Sequence, residues 1–397
     1  MKKYLVRLIT GGLIVAGLGL VATKFEPVRS VTAAITLINP KQSNKPTKAT
    51  SNAKPNHHSE DKIQKTIDKM SLSEKLGQLY VADVARGDAA ANSAVKNYHL
   101  GGVILGSEDF TGSRSSFKNH IKGMQKSAKV PLMIGTDQEG GTVSRLSISR
   151  AISGSTYYPS PQAAYHSGGM KNVVAQAKRA ARDLKALGIN WNYAPDVDVS
   201  ANKSSFIYAR TFGKSAGKTA SYVKAVVPAI QGQGVAATLK HFPGYGSAAD
   251  THVGGATTNR SLANLKRVDF LPFKAGITAG ADSIMVTHIV LKRIDSHRPA
   301  SLSKKVVKLL RSDLGYRGVI VTDSLQMGAV TQYARAHHIN ADVLAFKAGN
   351  DMLMSSNYRS GIPALKRAIK NKQISIKQVD ASVRRILEMK QKIGIYK

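Results

Sequence analysis

The sequence contains no cysteine, which excludes disulfide bonds, thiolate catalysis and cysteine-ligated zinc. Acidic side chains are also scarce, since 24 Asp and Glu stand against 58 Lys and Arg and the formal net charge is +34. Aromatic residues make up only 6% of the chain, too few for an obvious platform on which nucleic acid bases could stack. Because the basic residues are spread along the whole chain, we expect no nucleic acid partner. We expect instead an anionic cell-wall polymer or membrane surface.

Residues 1–24 predict an export segment. Lys2, Lys3 and Arg7 precede an uncharged run that ends at Thr23. A basic flank followed by a short apolar run is typical of a secretory signal peptide or an N-terminal membrane anchor. We therefore expect an exported protein, either extracellular and associated with the cell wall or held at the membrane by this segment.

Residues 25–60 predict a basic linker. From Pro40 onward this stretch is dominated by Pro, Ser, Thr, Asn and Lys and contains no large apolar residue. A segment of this composition cannot bury a core. The globular domain is therefore expected at residues 61–397, and its length allows one large domain or two small ones.

Short apolar runs alternate with longer amphipathic stretches throughout residues 61–397. The predicted strands are Gln78–Val84, Gly102–Leu105, Leu132–Thr136, Ile189–Ala194, Val235–Leu239, Ser283–Thr287, Val319–Thr322 and Asp351–Met354. The predicted helices include Met170–Leu187, Ala216–Gln231, Lys304–Leu314, Tyr333–Ala348, Ile362–Lys370 and Ile376–Ile393. About eight strand–helix repeats in one domain predict an α/β fold of the TIM-like (β/α)8 barrel type. The alternative is an open doubly wound sheet, but no Gly-rich nucleotide-binding turn follows the first strand.

Two titratable side chains, Lys240 and His241, follow the apolar run Val235–Leu239, and a Pro/Gly cluster comes directly after them. A small polar loop that contains Asp250 and His252 follows this cluster. A carboxylate in this position can hold one imidazole nitrogen, present the other to a substrate and favour the protonated ring. The pair therefore predicts a general acid at the C-terminal ends of the strands, where barrel enzymes have their catalytic residues. The alternative is a solvated loop without chemistry.

Carboxylates also follow two other predicted strands. Asp137 comes after Leu132–Thr136, and Arg145 lies further along the same segment. A carboxylate accepts hydrogen bonds and a guanidinium donates them, so the two can grip vicinal sugar hydroxyls. Asp323 follows Val319–Thr322, and we expect it to act as a nucleophile at the barrel mouth. The alternative is that Asp323 only caps the following helix.

Four further residues lie in or near other predicted strands. Asp196 and Asp198 can be catalytic, but this pattern is as often part of a turn. His288 is expected to line the pocket without an assigned role. Trp191, the only tryptophan, is expected to pack in the core.

Four spaced segments resemble the β-N-acetylglucosaminidases (β-N-acetylhexosaminidases) of glycoside hydrolase family 3. They are DQEGG-x-V-x-R from Asp137, R-x-F-G from Arg210, KHFPGYG from Lys240 with the DTH that follows it, and VTDSL-x-M around Asp323. The resemblance covers about residues 61–397. Three details differ from the commonest family form. Tyr245 stands where a second His is usual, Ser324 stands where Asp is more usual, and the segment Ser247–Ala249 is shorter.

The resemblance implies a function and a role for each matching residue. It implies that Asp323 is the nucleophile and that His252, oriented by Asp250, is the general acid/base. The implied sugar-binding residues are Asp137, Arg145, Arg210, Lys240 and His241. The implied reaction is retaining removal of terminal β-linked N-acetylglucosamine through a glycosyl-Asp intermediate, commonly from peptidoglycan fragments. No metal or cofactor is expected, the substrate partner is a carbohydrate, and the chain is expected to act as a monomer.

Two alternative functions remain open. The first is a β-glucosidase or xylosidase of the same family, against which the Asp250–His252 pair argues. The second is a wall-tethered barrel that binds polymer without turnover. The charge and the linker fit this second alternative, although every expected reactive position is filled.

Overall fold

The computed structural model describes residues 57–84 and 87–397. The predicted export segment at 1–24 and most of the predicted linker at 25–60 therefore lie outside the described residues. Within the described residues, no helix is both long and apolar enough to cross a membrane. The first helix begins at His57, slightly ahead of the predicted domain start at Asp61.

A single sheet of eight parallel strands forms the centre of the fold. The strands are β1 (Tyr80–Ala82), β2 (Gly102–Leu105), β3 (Met133–Thr136), β4 (Trp191–Asn192), β5 (Ala236–Phe242), β6 (Ser283–Val286), β7 (Val319–Thr322) and β8 (Leu353–Met354). Strands β1 to β7 are neighbours in chain order, and β8 pairs with β1. A parallel bridge between Val321 and Met352 brings β7 beside β8 and nearly closes the ring. The predicted (β/α)8 barrel is therefore confirmed.

Helices connect these strands and cover the outside of the barrel. They span His57–Lys69, Leu72–Gln78, Asp88–Tyr98, Arg114–Ser127, Arg150–Ser153, Pro161–Leu187, Ala216–Gln231, Leu262–Arg267, Phe270–Thr278, Lys304–Ser312, Gly328–Ala336, Ala341–Ala348, Tyr358–Lys370 and Ile376–Lys392. The predicted helix Tyr333–Ala348 is wrong as one element, because His338 has a positive φ of 52° and interrupts it. Asn340 then caps a new helix by accepting a hydrogen bond from the backbone N–H of Val343.

Strand β5 extends further than the sequence predicted. Its apolar run was expected to end at Leu239, but the strand continues to Phe242, which pairs with Val286 of β6. Lys240 and His241 are therefore buried strand residues. Their polar ends are paired with other side chains, so their burial does not leave unsatisfied groups in the barrel.

Large buried side chains fill the barrel interior, and Trp191 is one of them. Trp191 is completely buried, and its Nε1–H lies 2.8 Å from Thr238 Oγ1 and 3.0 Å from Ser283 Oγ. The predicted core role of Trp191 is confirmed. Two short ribbons were not predicted: Gln138–Gly140 pairs with Val143–Ser144, and Thr257–Thr258 pairs with Val290–Leu291.

Among residues 57–84 and 87–397, the buried cation Lys390 has no carboxylate within ion-pair distance. Lys390 is fully buried, its Nζ donates to Gln78 Oε1 at 2.7 Å, and burial lowers its pKa from 10.5 to about 7. The unfolded chain therefore takes up a proton here at a higher pH than the folded protein does. As a result, the free energy of unfolding falls as pH decreases between these two pKa values.

We expect Lys390→Met to raise the free energy of unfolding at neutral pH by about 1–4 kcal/mol, because methionine fills the space without a buried charge. Urea unfolding measures this, and the gain should shrink as the pH rises from 7 toward 10.5 and be lost above 10.5, where the wild-type lysine is mostly neutral in both states. The matched control is Lys377→Met, since Lys377 is exposed. A variant that is less stable than wild type at neutral pH would contradict the prediction.

Candidate active site

The candidate residues lie at the ends of alternate barrel strands. Asp137 follows β3, Lys240 and His241 occupy the end of β5, and Asp323 follows β7. The backbone N–H of Asp323 donates to Val286 O of β6 at 2.9 Å, so this carboxylate is held at the sheet edge. Because all the strands are parallel, these side chains share the C-terminal mouth of the barrel.

Lys240 is a buried cation between two carboxylates. Its Nζ lies 2.6 Å from Asp137 Oδ1 and 2.6 Å from Glu139 Oε1. Burial alone would lower the pKa of Lys240, but the two carboxylates raise it. Burial also acts to raise the pKa of Glu139, but Lys240 and Arg210 outweigh this effect and lower it to about 2. The ammonium and Glu139 therefore stay charged at neutral pH.

Arg210 extends this network to His241. The guanidinium contacts Glu139 through two hydrogen bonds, Nε to Oε2 at 3.0 Å and Nη2 to Oε1 at 2.7 Å. Arg210 Nη2 also lies 3.2 Å from His241 Nε2, and an arginine can only donate. His241 Nε2 is thus an acceptor, and the ring proton is on Nδ1, which lies 2.7 Å from Asp198 Oδ2. Burial, Arg210 and Lys240 together hold the pKa of His241 well below its ordinary value, so the ring is neutral.

Arg145 joins the same group more loosely. Its Nη2 lies 3.8 Å from Asp137 Oδ2, and its backbone N–H donates to Asp137 O at 3.3 Å. Burial acts to raise the pKa of Asp137, but Lys240 and Arg145 lower it overall. The structure thus brings together all five predicted sugar-binding residues, namely Asp137, Arg145, Arg210, Lys240 and His241.

Sequence reasoning left Glu139 and Asp198 without a function. Glu139 neutralises both cations of the network, and its position two residues after Asp137 on a short ribbon was the available signal. Asp198 binds the ring of His241 and also accepts a hydrogen bond from the backbone N–H of Tyr245 at 2.6 Å. Both acids hold other site residues in place.

Among the described residues, one group could in principle hold a metal ion: Asp196, Asp198 and His241, whose ligand atoms lie within 4.8 Å of one another. His241 already engages Arg210 through one nitrogen and Asp198 through the other. Arg210 Nε also stands 3.9 Å from Asp196 Oδ2. The guanidinium therefore supplies positive charge at this point, which opposes the approach of a divalent cation.

The Asp250–His252 pair has the geometry that the sequence predicted. His252 Nδ1 lies 2.6 Å from Asp250 Oδ1, and the backbone N–H of His252 donates to the same oxygen at 3.0 Å. Partial burial acts to raise the pKa of Asp250, but the hydrogen bonds from His252 outweigh it and lower the pKa. The His252 side chain is 58% exposed, so its other ring nitrogen can reach a substrate.

His288 contacts the backbone of the residue that follows Asp323. This imidazole is buried, its Nδ1 lies 2.7 Å from Ser301 Oγ, and its Nε2 lies 2.9 Å from Ser324 O. Burial lowers the pKa of His288, while the Asp323 carboxylate raises it and His252 lowers it. The backbone N–H groups of Gly328 and Ala329, shortly after Asp323, donate to His252 O and Thr251 O, so His252 and Asp323 lie in the same region of the barrel mouth.

We expect Lys240→Met to lower the free energy of unfolding by about 3–5 kcal/mol, because Asp137 and Glu139 would lose their shared counter-charge inside the barrel. Urea unfolding checks this, with Lys292→Met as the control because Lys292 is exposed. Similar stability of the two variants would contradict the role given to Lys240.

The chain is similar to proteins of known activity and to solved structures. A beta-hexosaminidase from Mycobacterium tuberculosis, LpqI, is 33% identical over 334 residues, which are 81% of this chain and 83% of the relative. A beta-hexosaminidase from Xanthomonas oryzae is 36% identical over 238 residues, which are 58% of this chain and 69% of the relative. The solved structure of a glycoside hydrolase family 3 beta-N-acetylglucosaminidase from Paenibacillus has a TM-score of 0.75 and 32% identity, covering 82% of this chain and 63% of that chain.

The family itself is identified over most of the chain. The model of the glycosyl hydrolase family 3 N-terminal domain matches residues 71–389. This range contains all four segments that carried the resemblance, and it contains the whole barrel from β1 to β8. The chain therefore belongs to glycosyl hydrolase family 3 and is a glycosidase, as its sequence predicted.

Proposed function

We propose that this glycosidase is a retaining β-N-acetylhexosaminidase that removes terminal β-linked N-acetylglucosamine from glycans. The observation that carries the proposal is the 2.6 Å contact between Asp250 and the ring of His252, on a loop that is hydrogen-bonded to the helix start shortly after Asp323. The names of the relatives, beta-hexosaminidase and beta-N-acetylglucosaminidase, support the choice of an acetamido sugar.

In the first step, an Asp323 carboxylate oxygen attacks the anomeric carbon while the bond from that carbon to the glycosidic oxygen breaks. The protonated ring of His252 gives its proton to the departing oxygen, so the aglycone leaves as a neutral alcohol. In the second step, water attacks the same carbon, gives a proton to His252 and frees the Asp323 carboxylate. Two inversions at one carbon retain the β configuration of the sugar.

The network around Lys240 would hold the sugar during both steps. Its fixed charges need no reorganisation when a substrate arrives, because Glu139 and Asp137 already hold the ammonium. Asp137 can accept hydrogen bonds from sugar hydroxyls, whereas Arg145 can donate them. Interactions of this kind add binding energy that can be used in the transition state.

The setting of the reaction is part of the same proposal. The formal charge of +34 favours contact with an anionic wall polymer or membrane surface, where peptidoglycan-derived glycans would be the substrates. The predicted export segment at 1–24 and the predicted linker at 25–60 support an exported protein whose barrel works outside the cytoplasm, and we propose that it acts as a monomer.

Hydrolysis of a panel of nitrophenyl β-glycosides by the full chain tests the proposal. We expect the highest kcat/KM with the N-acetylglucosaminide, and release of the β-anomer when the product is observed by NMR. Faster hydrolysis of the glucoside or xyloside would favour the first alternative function. Retention on cell-wall polymer without release of nitrophenol from any acetamido sugar would favour the binding barrel.

A further inference from the structure

The loop that carries His252 is docked on the first turn of the helix that follows Asp323. The backbone N–H of Gly328 donates to His252 O at 2.9 Å, and that of Ala329 donates to Thr251 O at 3.2 Å. The first N–H groups of a helix have no partner within the helix, and Met327 at the cap position supplies no side-chain acceptor. The loop backbone therefore caps this helix.

A second contact ties the same loop to the sugar-binding network. The hydroxyls of Tyr245 and Thr251 are hydrogen-bonded to each other. The Tyr245 ring is 1% exposed and packs edge-on against Phe206 and His241, each at 5.0 Å between ring centres. Since Asp198 also accepts a hydrogen bond from the backbone N–H of Tyr245, this residue is anchored to the group that holds His241.

Gly328 allows the backbone of the His252 loop to approach the helix closely. A methyl group added at Gly328 would lie 2.7 Å from both the carbonyl carbon and the oxygen of Val253, and 2.8 Å from His252 O. Backbone atoms cannot give way as a flexible side chain can. Any larger residue at 328 must therefore push the loop away from the helix.

We infer that Gly328 and the Tyr245–Thr251 hydroxyl pair are positioning residues for the acid/base group. One helix start follows the nucleophile Asp323 closely and also receives the loop of His252, so it sets the distance between the two reacting groups. Tyr245 and Thr251 fix the other side of the loop. This inference rests on the proposed function, because it assigns these residues a role through His252.

The test compares Gly328→Ala with Gly217→Ala in the full chain. Gly217 also lies in the first turn of a helix, Ala216–Gln231, and a methyl group added there meets no atom within 4 Å. For a glycoside with a basic leaving group, we expect Gly328→Ala to lower kcat/KM by about 10–100-fold, because the acid is misplaced. For a dinitrophenyl glycoside, whose leaving group needs no proton, we expect a change within about threefold. Gly217→Ala should match wild type on both substrates.

Tyr245→Phe and Thr251→Val test the second contact. If both residues act through one hydrogen bond, the double variant should be no slower on the basic leaving group than the slower single variant. Independent, multiplying losses would overturn that part of the inference. Added azide, which needs no general base, should restore the second step in Gly328→Ala and yield the glycosyl azide.

The outcomes separate the inference from the proposed function. A wild-type chain that hydrolyses no N-acetylglucosaminide would overturn the proposed function. An active wild type with Gly328→Ala equal to Gly217→Ala would overturn only the positioning role. Equal losses on both leaving groups would also overturn it, since they would show that the substitution does not act through the proton donor. Thermal unfolding confirms that each variant is folded.

Discussion

Asp323→Asn should lower kcat/KM on any N-acetylglucosaminide by on the order of 10⁴-fold or more, as loss of a group at the reacting centre does in other covalent mechanisms. The amide has the shape of the carboxylate, but it is neutral and cannot form the glycosyl ester. The measurement is initial-rate kinetics on the nitrophenyl substrate.

The substitution should leave the fold intact. Asp323 Oδ1 accepts a hydrogen bond from the backbone N–H of Ser324 at 2.8 Å, and the oxygen of an asparagine can accept the same bond. The matched control is Asp313→Asn, because Asp313 lies before β7 rather than after it and pairs with Lys266. A variant at Asp323 that keeps a tenth of the wild-type rate would rule out this carboxylate as the nucleophile.

The effect of His252→Ala on kcat/KM should depend on the leaving group of the substrate. With a basic leaving group, we expect kcat/KM to fall by about 10²–10⁴-fold, the usual contribution of a positioned acid. With a dinitrophenyl leaving group the first step needs no proton, so kcat/KM should change little while kcat falls, because water is no longer deprotonated in the second step. The measurement is kcat and kcat/KM for both substrates.

Azide and a distant histidine provide the controls for this variant. Azide is already an anion, so it should raise kcat of His252→Ala on the activated substrate and form a β-glycosyl azide. His166→Ala should behave as wild type, since His166 is exposed on the helix Pro161–Leu187. Equal losses on both leaving groups, without rescue by azide, would contradict the role of His252 as acid/base.

The strand ends of the barrel could be predicted from the sequence because they depend on local patterns. Apolar runs mark the buried strands, and the polar residues that follow Thr136 and Thr322 mark the mouth. The contact between Asp250 and His252 could also be predicted, because the two residues are only two positions apart in the chain.

Long-range pairings could not be predicted from one sequence. Whether Lys240 stays in the strand depends on Asp137 and Glu139, which lie about 100 positions earlier in the chain. The docking of the His252 loop depends on Gly328, which local patterns assign only to a helix start. Propensity and periodicity carry no information about such contacts.

The most direct measurement is the mass of a trapped glycosyl-enzyme. A fluorinated N-acetylglucosamine analogue with a good leaving group should add one glycosyl unit to the intact protein. The fluorine slows both steps, whereas the good leaving group accelerates only the first, so the glycosyl-enzyme accumulates. Digestion and peptide mapping should then place that unit on Asp323, and His252→Ala should accumulate it as well. An adduct on another residue, or turnover that releases the inverted anomer, would contradict the account.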